Sequence, residues 1–307
     1  MNTPSNTVPE APINSPAITP AALPATRLFY WSLRRELWEY RSIYVAPLAG
    51  AGVVMLAFGF VLAALPHTMR KLSSLDPAQQ HKALAHPYDI AAALIMGAAF
   101  IVSLFYSLDA LYGERRDRSI LFWKSLPVSD LTTVLAKATV PLVVLPLLSF
   151  AIAFVIESLM ILLSSLVLLA GGLSVATLWT QVQLYPTLLG LLYHLVTVHM
   201  LWYAPLYAWL LLVSAWSRRA PFLWAVLPPL AVGFFEKIAF HSSHFADLLL
   251  YRVGGGSDDM QGNFDMHPGM HGGLGSFLSS PGLWFGLIAA AIFLAAAARL
   301  RRYREPI

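Results

Sequence analysis

The chain has 307 residues, a formal net charge of +4 and no cysteine. Charged residues make up 12% of it and apolar residues 58%, whereas typical soluble domains have about 25% charged residues. These proportions exclude an ordinary soluble protein, and the lack of cysteine excludes disulfides and thiolate metal sites. Because the apolar residues form runs long enough to cross a bilayer, the composition indicates an integral membrane protein.

The first 26 residues contain six prolines among Ser, Thr, Asn and Ala, with neither lysine nor arginine. Such a composition cannot bury a core and lacks the basic start of a signal peptide, so residues 1–26 are predicted to be a disordered cytoplasmic tail. Residues 27–43 alternate aromatic and charged side chains at helical spacing, which favours an amphipathic helix at the membrane interface. A plain cytoplasmic extension of the first span explains them equally well.

Six membrane spans are predicted within residues 44–303. They lie at about 44–65, 89–112, 131 onward, 188–216, 222–240 and 281–298. Orientation follows from the lysines and arginines of the short loops, which concentrate on the cytoplasmic side. The basic residues of 27–41, 115–124, 218–219 and 299–304 all fall on one side of this arrangement. Both termini are therefore predicted to be cytoplasmic.

The third apolar run, from Ala138 to Ala170, has about 33 residues. A helix of that length is roughly 50 Å long, against a hydrocarbon core of about 30 Å, so it must tilt, bend or project. Pro141 and Pro146 provide places to bend. Glu157 lies about where the helix should leave the lipid. It is either a carboxylate of a substrate path or, the favoured interpretation, an interfacial residue before an external helical extension.

The sequence lacks the common catalytic motifs. The dipeptide Gly-Lys never occurs, which excludes a P-loop, and neither HExxH nor GxSxG is present. No internal repeat of the kind that builds secondary transporters is evident. The chain is therefore predicted not to be an enzyme and to bind no cofactor, so any ATP and magnesium would be used by a partner subunit.

The segment between the second and third spans reads GERRDRSILFWKSLPVS over residues 113–129. Its apolar block, from Ile120 to Trp123, is too short to span a bilayer and needs another surface to cover it. Asp117 or Ser119 can cap a helix, and Pro127 disfavours helix at the residue before it, so two to three turns ending near Ser125 are predicted. Lipid headgroups or a protein partner are the two surfaces that suit it.

The run ERRDRSILFWKSLPVSD resembles the cytoplasmic segment of bacterial ABC transporter permeases of the type-2 (ABC-2) exporter family, over about 17 residues. The six-span layout, with a large external segment before the last span, resembles the same family over most of the chain. The resemblance implies an all-α inner-membrane fold with a cytoplasmic coupling helix between spans 2 and 3. It also implies two permeases, as a homodimer or with a paralogous permease, and two copies of an ATP-binding subunit.

The resemblance further implies which residues of the segment contact the ATPase. They are Glu114, Arg115, Arg116, Asp117, Arg118, Ile120, Phe122, Trp123, Lys124 and Pro127. At helical spacing, Ile120 and Trp123 share one face, and Phe122 and Leu126 another. Trp123 is predicted to be the main aromatic contact of this interface.

The function expected from these features is ATP-driven export of an amphipathic or hydrophobic molecule, with membrane lipids but no nucleic acid as further partners. Two alternatives stay open. One is an ABC-type assembly for lipid or peptide extraction or for copper-enzyme maturation. The other is a membrane protein that transports nothing, such as a sensor. Substrate identity is not encoded in a short motif, because apolar paths recognise their ligands by shape.

Several residues towards the outer side are weaker site candidates. Glu236 is a second candidate for the substrate path. His241 and His244 are spaced as two ligands on one helix face, and Met266, His267, Met270 and His271 combine thioethers and imidazoles that suit copper. Glycine-rich loops often hold such residues without a metal, so no metal site is the favoured interpretation. His194 and His199, five apart, are predicted not to share a helix face and to serve packing.

The copper alternative is tested on the purified protein. We expect no copper to remain after dialysis, measured by elemental analysis. Stoichiometric copper that disappears when Met266, His267, Met270 and His271 are replaced together, with the fold intact, would favour copper-enzyme maturation over export.

Overall fold

A computed structural model describes residues 24–72, 76–254 and 273–304. Over these ranges the chain is helical throughout, without strands. The α-helices are α1 Ala25–Glu39, α2 Ser42–Leu72, α3 Pro77–Asp109, α4 Tyr112–Arg116, α5 Ile120–Lys124, α6 Asp130–Thr139, α7 Leu145–Ala170, α8 Ala176–Val182, α9 Leu184–His194, α10 Ala204–Trp216, α11 Pro221–Phe240, α12 His244–Val253, α13 Gly273–Ser279 and α14 Pro281–Tyr303. Two π-helical stretches, π1 Val140–Val144 and π2 Leu195–Trp202, interrupt this series.

Six helical stretches in the described ranges are long and apolar enough to cross a membrane. They are Ser42–Lys71, Ala78–Arg116, Asp130–Ala170, Ala176–Trp202, Pro221–Phe240 and Pro281–Tyr303. The prediction of a multi-pass, all-α membrane protein is thereby confirmed. The fourth stretch begins about a dozen residues before its predicted start at 188, and α10 follows it as a shorter apolar helix.

The third span is one run of helix over Asp130–Ala170, 41 residues long. The helix is irregular at π1, which contains Pro141. Proline has no N–H to donate and its ring crowds the preceding turn, so a wider turn accommodates it. The first of the two predicted bending points is thus where the helix departs from α geometry.

Close packing of the helices depends on small side chains. Ala204 and Ala208 of α10 are buried against Ala290 of α14, which lets the two backbones approach closely. On the other side of the bundle, α2, α3 and α7 bury a core around Ile95 and Ala153. By contrast, α11 has a single buried residue, Ala225, among those described, and is the most peripheral span.

The predicted helix at 27–43 is a separate element. α1 ends at Glu39, and the helix is interrupted at Tyr40 and Arg41 before α2 begins. α1 is therefore not a continuous extension of the first span. Tyr30, Trp31 and Trp38 are exposed. A helix with such an aromatic surface suits a membrane interface. Most of the predicted tail, residues 1–23, lies outside the described residues.

The short helix α12 is attached to the C-terminal end of π2 by two hydrogen bonds. Trp202 Nε1 donates to the carbonyl of Arg252 at 3.0 Å, and the Tyr203 hydroxyl donates to that of Val253 at 2.9 Å. The Arg252 guanidinium lies 4.3 Å from the Trp202 ring centroid. A Cβ at Gly286 would lie 1.5 Å from Arg252 Nη2, so this helix contact requires glycine or a displaced arginine.

Candidate functional site

The segment 113–129 folds as two short helices joined by a turn. α4 ends at Arg116, and α5 spans only Ile120–Lys124. The predicted helix of two to three turns is therefore wrong, because Arg118 adopts the left-handed region, with a φ of 59°, and breaks it. The predicted end is confirmed, since Ser125 caps α5.

The capping prediction is right for the position of Ser119, which is the N-cap residue of α5, but not for its hydrogen bonding. Asp117 follows α4 instead of starting α5, and its carboxylate pairs with Arg116 Nε at 3.0 Å on the surface. Ser119 precedes α5, but its hydroxyl donates to the carbonyl of Glu114 at 3.4 Å. Neither side chain accepts a hydrogen bond from the first turn of α5.

The two faces of α5 have different surroundings. Ile120 is buried, and Trp123 packs within the chain with its ring 4.0 Å from the Arg35 guanidinium carbon. Leu121 and Phe122 are each 60% exposed, and Leu126 is exposed as well. The outward apolar surface of the segment is thus Leu121, Phe122 and Leu126, which we name the α5 face. Trp123 belongs to the inward side.

Behind α5 lies a group of six charged side chains, which we name the ionic cluster. Its members come from four helices and are Arg35, Glu36, Glu114, Asp130, Lys137 and Arg301. Three carboxylates meet three cations, so their formal charges balance. The cluster joins α1, α4, α6 and α14 at one end of the bundle.

Lys137 lies at the centre of the ionic cluster and is fully buried. Its Nζ donates to both carboxylate oxygens of Glu36, at 3.0 and 2.9 Å, and lies 3.2 Å from Glu114 Oε1. The Tyr106 hydroxyl donates to Glu36 Oε2 at 2.9 Å. Buried charges require this complete pairing, because an unpaired one is strongly destabilising.

Glu114 joins the segment to the other helices. It accepts from Arg35 Nη2 at 2.9 Å and from Arg301 Nη2 at 3.2 Å, and Arg301 also bonds Asp130. Burial lowers the pKa of the Arg35 guanidinium, but the carboxylates of Glu36 and Glu114 outweigh this, so that its pKa is raised. The arginine therefore stays charged in its partly buried position.

Further bonds hold the segment to α10 and α14. Ser214 Oγ accepts from the backbone N–H groups of Leu111 and Tyr112, at 3.0 and 2.9 Å. Arg115, also buried, donates to the carbonyl of Ala215. At the other end, Lys124 Nζ donates to the carbonyls of Arg302 and Arg304, at 3.2 and 3.4 Å. The segment is thus attached along most of its inward side.

A close approach also fixes the start of the segment. A Cβ at Gly113 would lie 3.2 Å from Asp109 Oδ2 and 3.3 Å from the Tyr40 hydroxyl, which themselves are 3.4 Å apart. Glycine at this position therefore lets α4 pack against the junction of α1 and α2.

The predicted coupling residues do not share one surface. Glu114, Arg115, Ile120 and Trp123 face inward, whereas Phe122 faces outward. Arg116, Asp117 and Lys124 are surface residues with partners inside the chain, Arg118 forms the turn, and Pro127 follows α5. Which of them contact an ATPase stays a prediction.

Most of the ionic cluster was not predicted from the sequence, namely Arg35, Lys137 and Arg301 as partners of Glu114, and Glu36 and Asp130 as further members. Lys137 carried a usable signal, because it stands between two alanines at the start of an apolar run. A charge in such a place requires a partner. The partners are 79 to 187 residues apart in sequence, so spacing could not have identified them.

The two candidates for the substrate path have different environments. Glu236 accepts hydrogen bonds from Ser242 Oγ and from the backbone N–H of Phe245, both at 2.8 Å. These bonds hold the turn between α11 and α12. Glu157 is fully buried between α7 and its neighbours. Its position at the membrane interface or on a substrate path stays a prediction.

The structure differs from both predictions about histidine pairs, and helix geometry explains the difference in each case. α11 ends at Phe240 and His241 has a φ of 53°, so a break separates it from His244 and the two share no helix face. Conversely, His194 and His199 do come together, with ring centroids 5.6 Å apart. π2 explains this, because the wider turns of a π-helix bring residues five apart onto one face.

Within the described ranges, no group of three or more His, Asp or Glu residues is arranged to hold a metal ion. His267, Met270 and His271, together with Met266, lie outside those ranges, so their copper prediction is untested. Comparisons of the chain with protein-family models, with curated proteins and with solved structures found no match.

Proposed function

We propose that this protein is the transmembrane permease subunit of an ATP-driven ABC exporter of the ABC-2 type. The observation that carries the proposal is an exposed apolar surface, the α5 face, on a short segment whose opposite side is attached to several helices by buried ion pairs. An apolar patch of this kind suits a protein partner. The charges of the ionic cluster are already paired, which leaves the apolar side chains for that contact.

The proposed mechanism uses this attachment. A displacement of α5 by an ATP-binding subunit would act on Glu114 through the adjoining turn, and Glu114 is bonded to α1, α6 and α14. α6 begins the third span and α14 forms the sixth. A push on the segment would thus reach two spans and the interfacial helix together, whereas a loose loop would absorb it.

In the same proposal, two permeases pair in the bacterial inner membrane, with both termini of each in the cytoplasm. One ATP-binding subunit binds the cytoplasmic side of each permease. ATP and magnesium belong to that subunit. The experiment that tests the function is copurification with an ATP-binding subunit, sought among the products of the neighbouring genes, followed by measurement of substrate-stimulated ATP hydrolysis. A failure of any ATP-binding subunit to associate would favour the headgroup interpretation of the segment.

Topology gives an independent test, and the chain has no native cysteine to interfere. Single cysteines at Ser125 and Arg218, both exposed, should react with an impermeant maleimide only after cells are permeabilised, while one at Ser257 should react in intact cells. The measurement is labelling detected on gels. Labelling of Ser125→Cys in intact cells would place the α5 face outside and exclude its role in coupling to a cytoplasmic ATPase.

A further inference from the structure

The outward face of α1 carries arginine and tryptophan in alternation. Arg27, Trp31, Arg34 and Trp38 are four, three and four residues apart, which puts them on one face of the helix. Arg41 follows in the turn before α2. Arg34 is half-buried and the other four residues are exposed. We name these five residues the α1 stripe.

Arg34 lies between the two tryptophans of the α1 stripe. Its guanidinium carbon is 5.1 Å from the Trp31 ring centroid and 5.0 Å from that of Trp38. Cation–π attraction holds a guanidinium in such a position and leaves its N–H groups available to an oxygen acceptor. Within 24–72, 76–254 and 273–304, none of the three arginines of the α1 stripe forms an ion pair with a carboxylate.

The acidic residues of α1 lie off this face. Glu36 is buried in the ionic cluster on the opposite side, and the Glu39 carboxylate lies 3.8 Å from the Arg35 guanidinium. Leu33 and Leu37 pack against the core on the inward side. The α1 stripe therefore carries positive charge that α1 does not neutralise, on a helix whose inward side is fixed.

The ends of three apolar helices meet beside α1. α2 begins at Ser42, directly after Arg41. α6, which begins the third span, bonds α1 through Lys137 and Glu36, and α14, the sixth span, reaches the same ionic cluster through Arg301. In a bilayer, helix ends lie at the level of the lipid headgroups. Tryptophan is enriched at this level, and basic residues next to a membrane span attract anionic lipids.

We propose that the α1 stripe binds the headgroups of anionic phospholipids. Its arginines pair with the negative charge of the headgroups, and the indole rings of Trp31 and Trp38 lie among those headgroups and hold Arg34 in place. A lipid surface fits the α1 stripe because the stripe continues directly into a membrane span and carries charge of one sign. The inference does not depend on the proposed function, since this binding requires neither ATP nor an ATP-binding subunit.

The test places a fluorophore beside the α1 stripe in the full-length protein. Thr26→Cys supplies the attachment point, since Thr26 is exposed in the first turn of α1 and the chain has no native cysteine. The labelled protein is reconstituted in phosphatidylcholine nanodiscs that contain a small amount of a quenching lipid, either phosphatidylglycerol or phosphatidylcholine with a nitroxide on its acyl chain. We expect stronger quenching by the phosphatidylglycerol, because the arginines enrich it around α1.

Variants of the arginines show whether the α1 stripe causes the preference. Arg34→Gln should lower the relative affinity for phosphatidylglycerol about fivefold, the factor that corresponds to one basic residue near an anionic surface. Glutamine at Arg27, Arg34 and Arg41 together should remove the preference. Lysine at the same three positions should keep it, since a lipid surface is attracted by charge and does not require the guanidinium shape. The lysine variant also shows that changes at these positions leave the protein folded.

Arg218→Gln combined with Arg219→Gln is the matched control, because both arginines are exposed but lie in the loop before α11. This variant should keep the preference, and its loss there would mean that overall charge attracts the lipid. Equal quenching by the two lipids in the wild type, or a preference that survives in the triple glutamine variant, would overturn the proposal. Quenching by neither lipid would also overturn it and would indicate that the α1 stripe contacts another protein.

Discussion

Lys137→Met should destabilise the protein by about 3–5 kcal/mol, because it removes the fully buried cation between Glu36 and Glu114 and leaves one buried negative charge that Arg35 and Arg301 do not balance. Lys137 is 0% exposed and contacts both Glu36 and Glu114, so no water can replace its ammonium group. The measurement is the free energy of unfolding in mixed detergent micelles. Few single changes in this chain should have a larger effect on stability.

Two further variants show whether charge is the cause. Lys124→Met removes an exposed lysine that bonds only backbone carbonyls, and should cost less than about 1 kcal/mol. Adding Glu36→Gln to Lys137→Met removes a carboxylate together with its cation, and should restore at least half of the lost stability. A single variant as stable as the wild type would mean that the ionic cluster does not hold α1 to α6.

If the proposed function is correct, Phe122→Ala should leave the protein folded but weaken its affinity for the proposed ATP-binding subunit about thirtyfold. An aromatic side chain at the centre of a protein interface often contributes about 2 kcal/mol or more, which corresponds to that factor. Because Phe122 is 60% exposed in the chain alone, its removal leaves no cavity. Copurification and ATPase stimulation measure the effect, with thermal unfolding as a check on the fold.

Phe222→Ala is the matched control for Phe122→Ala. This phenylalanine is 59% exposed and lies three residues after the Arg218 and Arg219 loop, which the sequence places on the same side of the membrane. It should have no effect on ATPase association. If Phe222→Ala abolishes association while Phe122→Ala preserves it, the coupling surface lies at the 218–222 loop, and α5 belongs among the lipid headgroups.

The six spans could be predicted because a run of about 20 apolar residues in a bilayer is stable as a membrane-spanning α-helix. The change from aromatic and charged residues to an apolar run near Tyr44 indicated a boundary close to the start of α2, but it left a plain extension of the first span equally open. Local patterns of this kind are properties of a few neighbouring residues. They therefore identified the helices without showing how those helices meet.

The parts of the site that escaped prediction depend on tertiary contacts. Glu114 was identified as a coupling residue, yet nothing near it in sequence indicated that Arg301, 187 residues away, would bond it. Trp123 looked like an outward contact because its chemistry suits interfaces, and only the position of Arg35 shows that it packs inward. The pairing of His194 with His199 was missed because a period of 3.6 was assumed where the helix has π geometry.

The bonds from Lys124 to the carbonyls of Arg302 and Arg304 have a practical consequence for experiments on this protein. They hold the last turn of α14 beside α5, so an affinity tag attached to the chain at Arg304 would begin beside Lys124, on the same short helix as Phe122. A bulky fusion there would compete with an ATPase for the same space. A failed pull-down could then be caused by the tag and would not show that the interaction is absent.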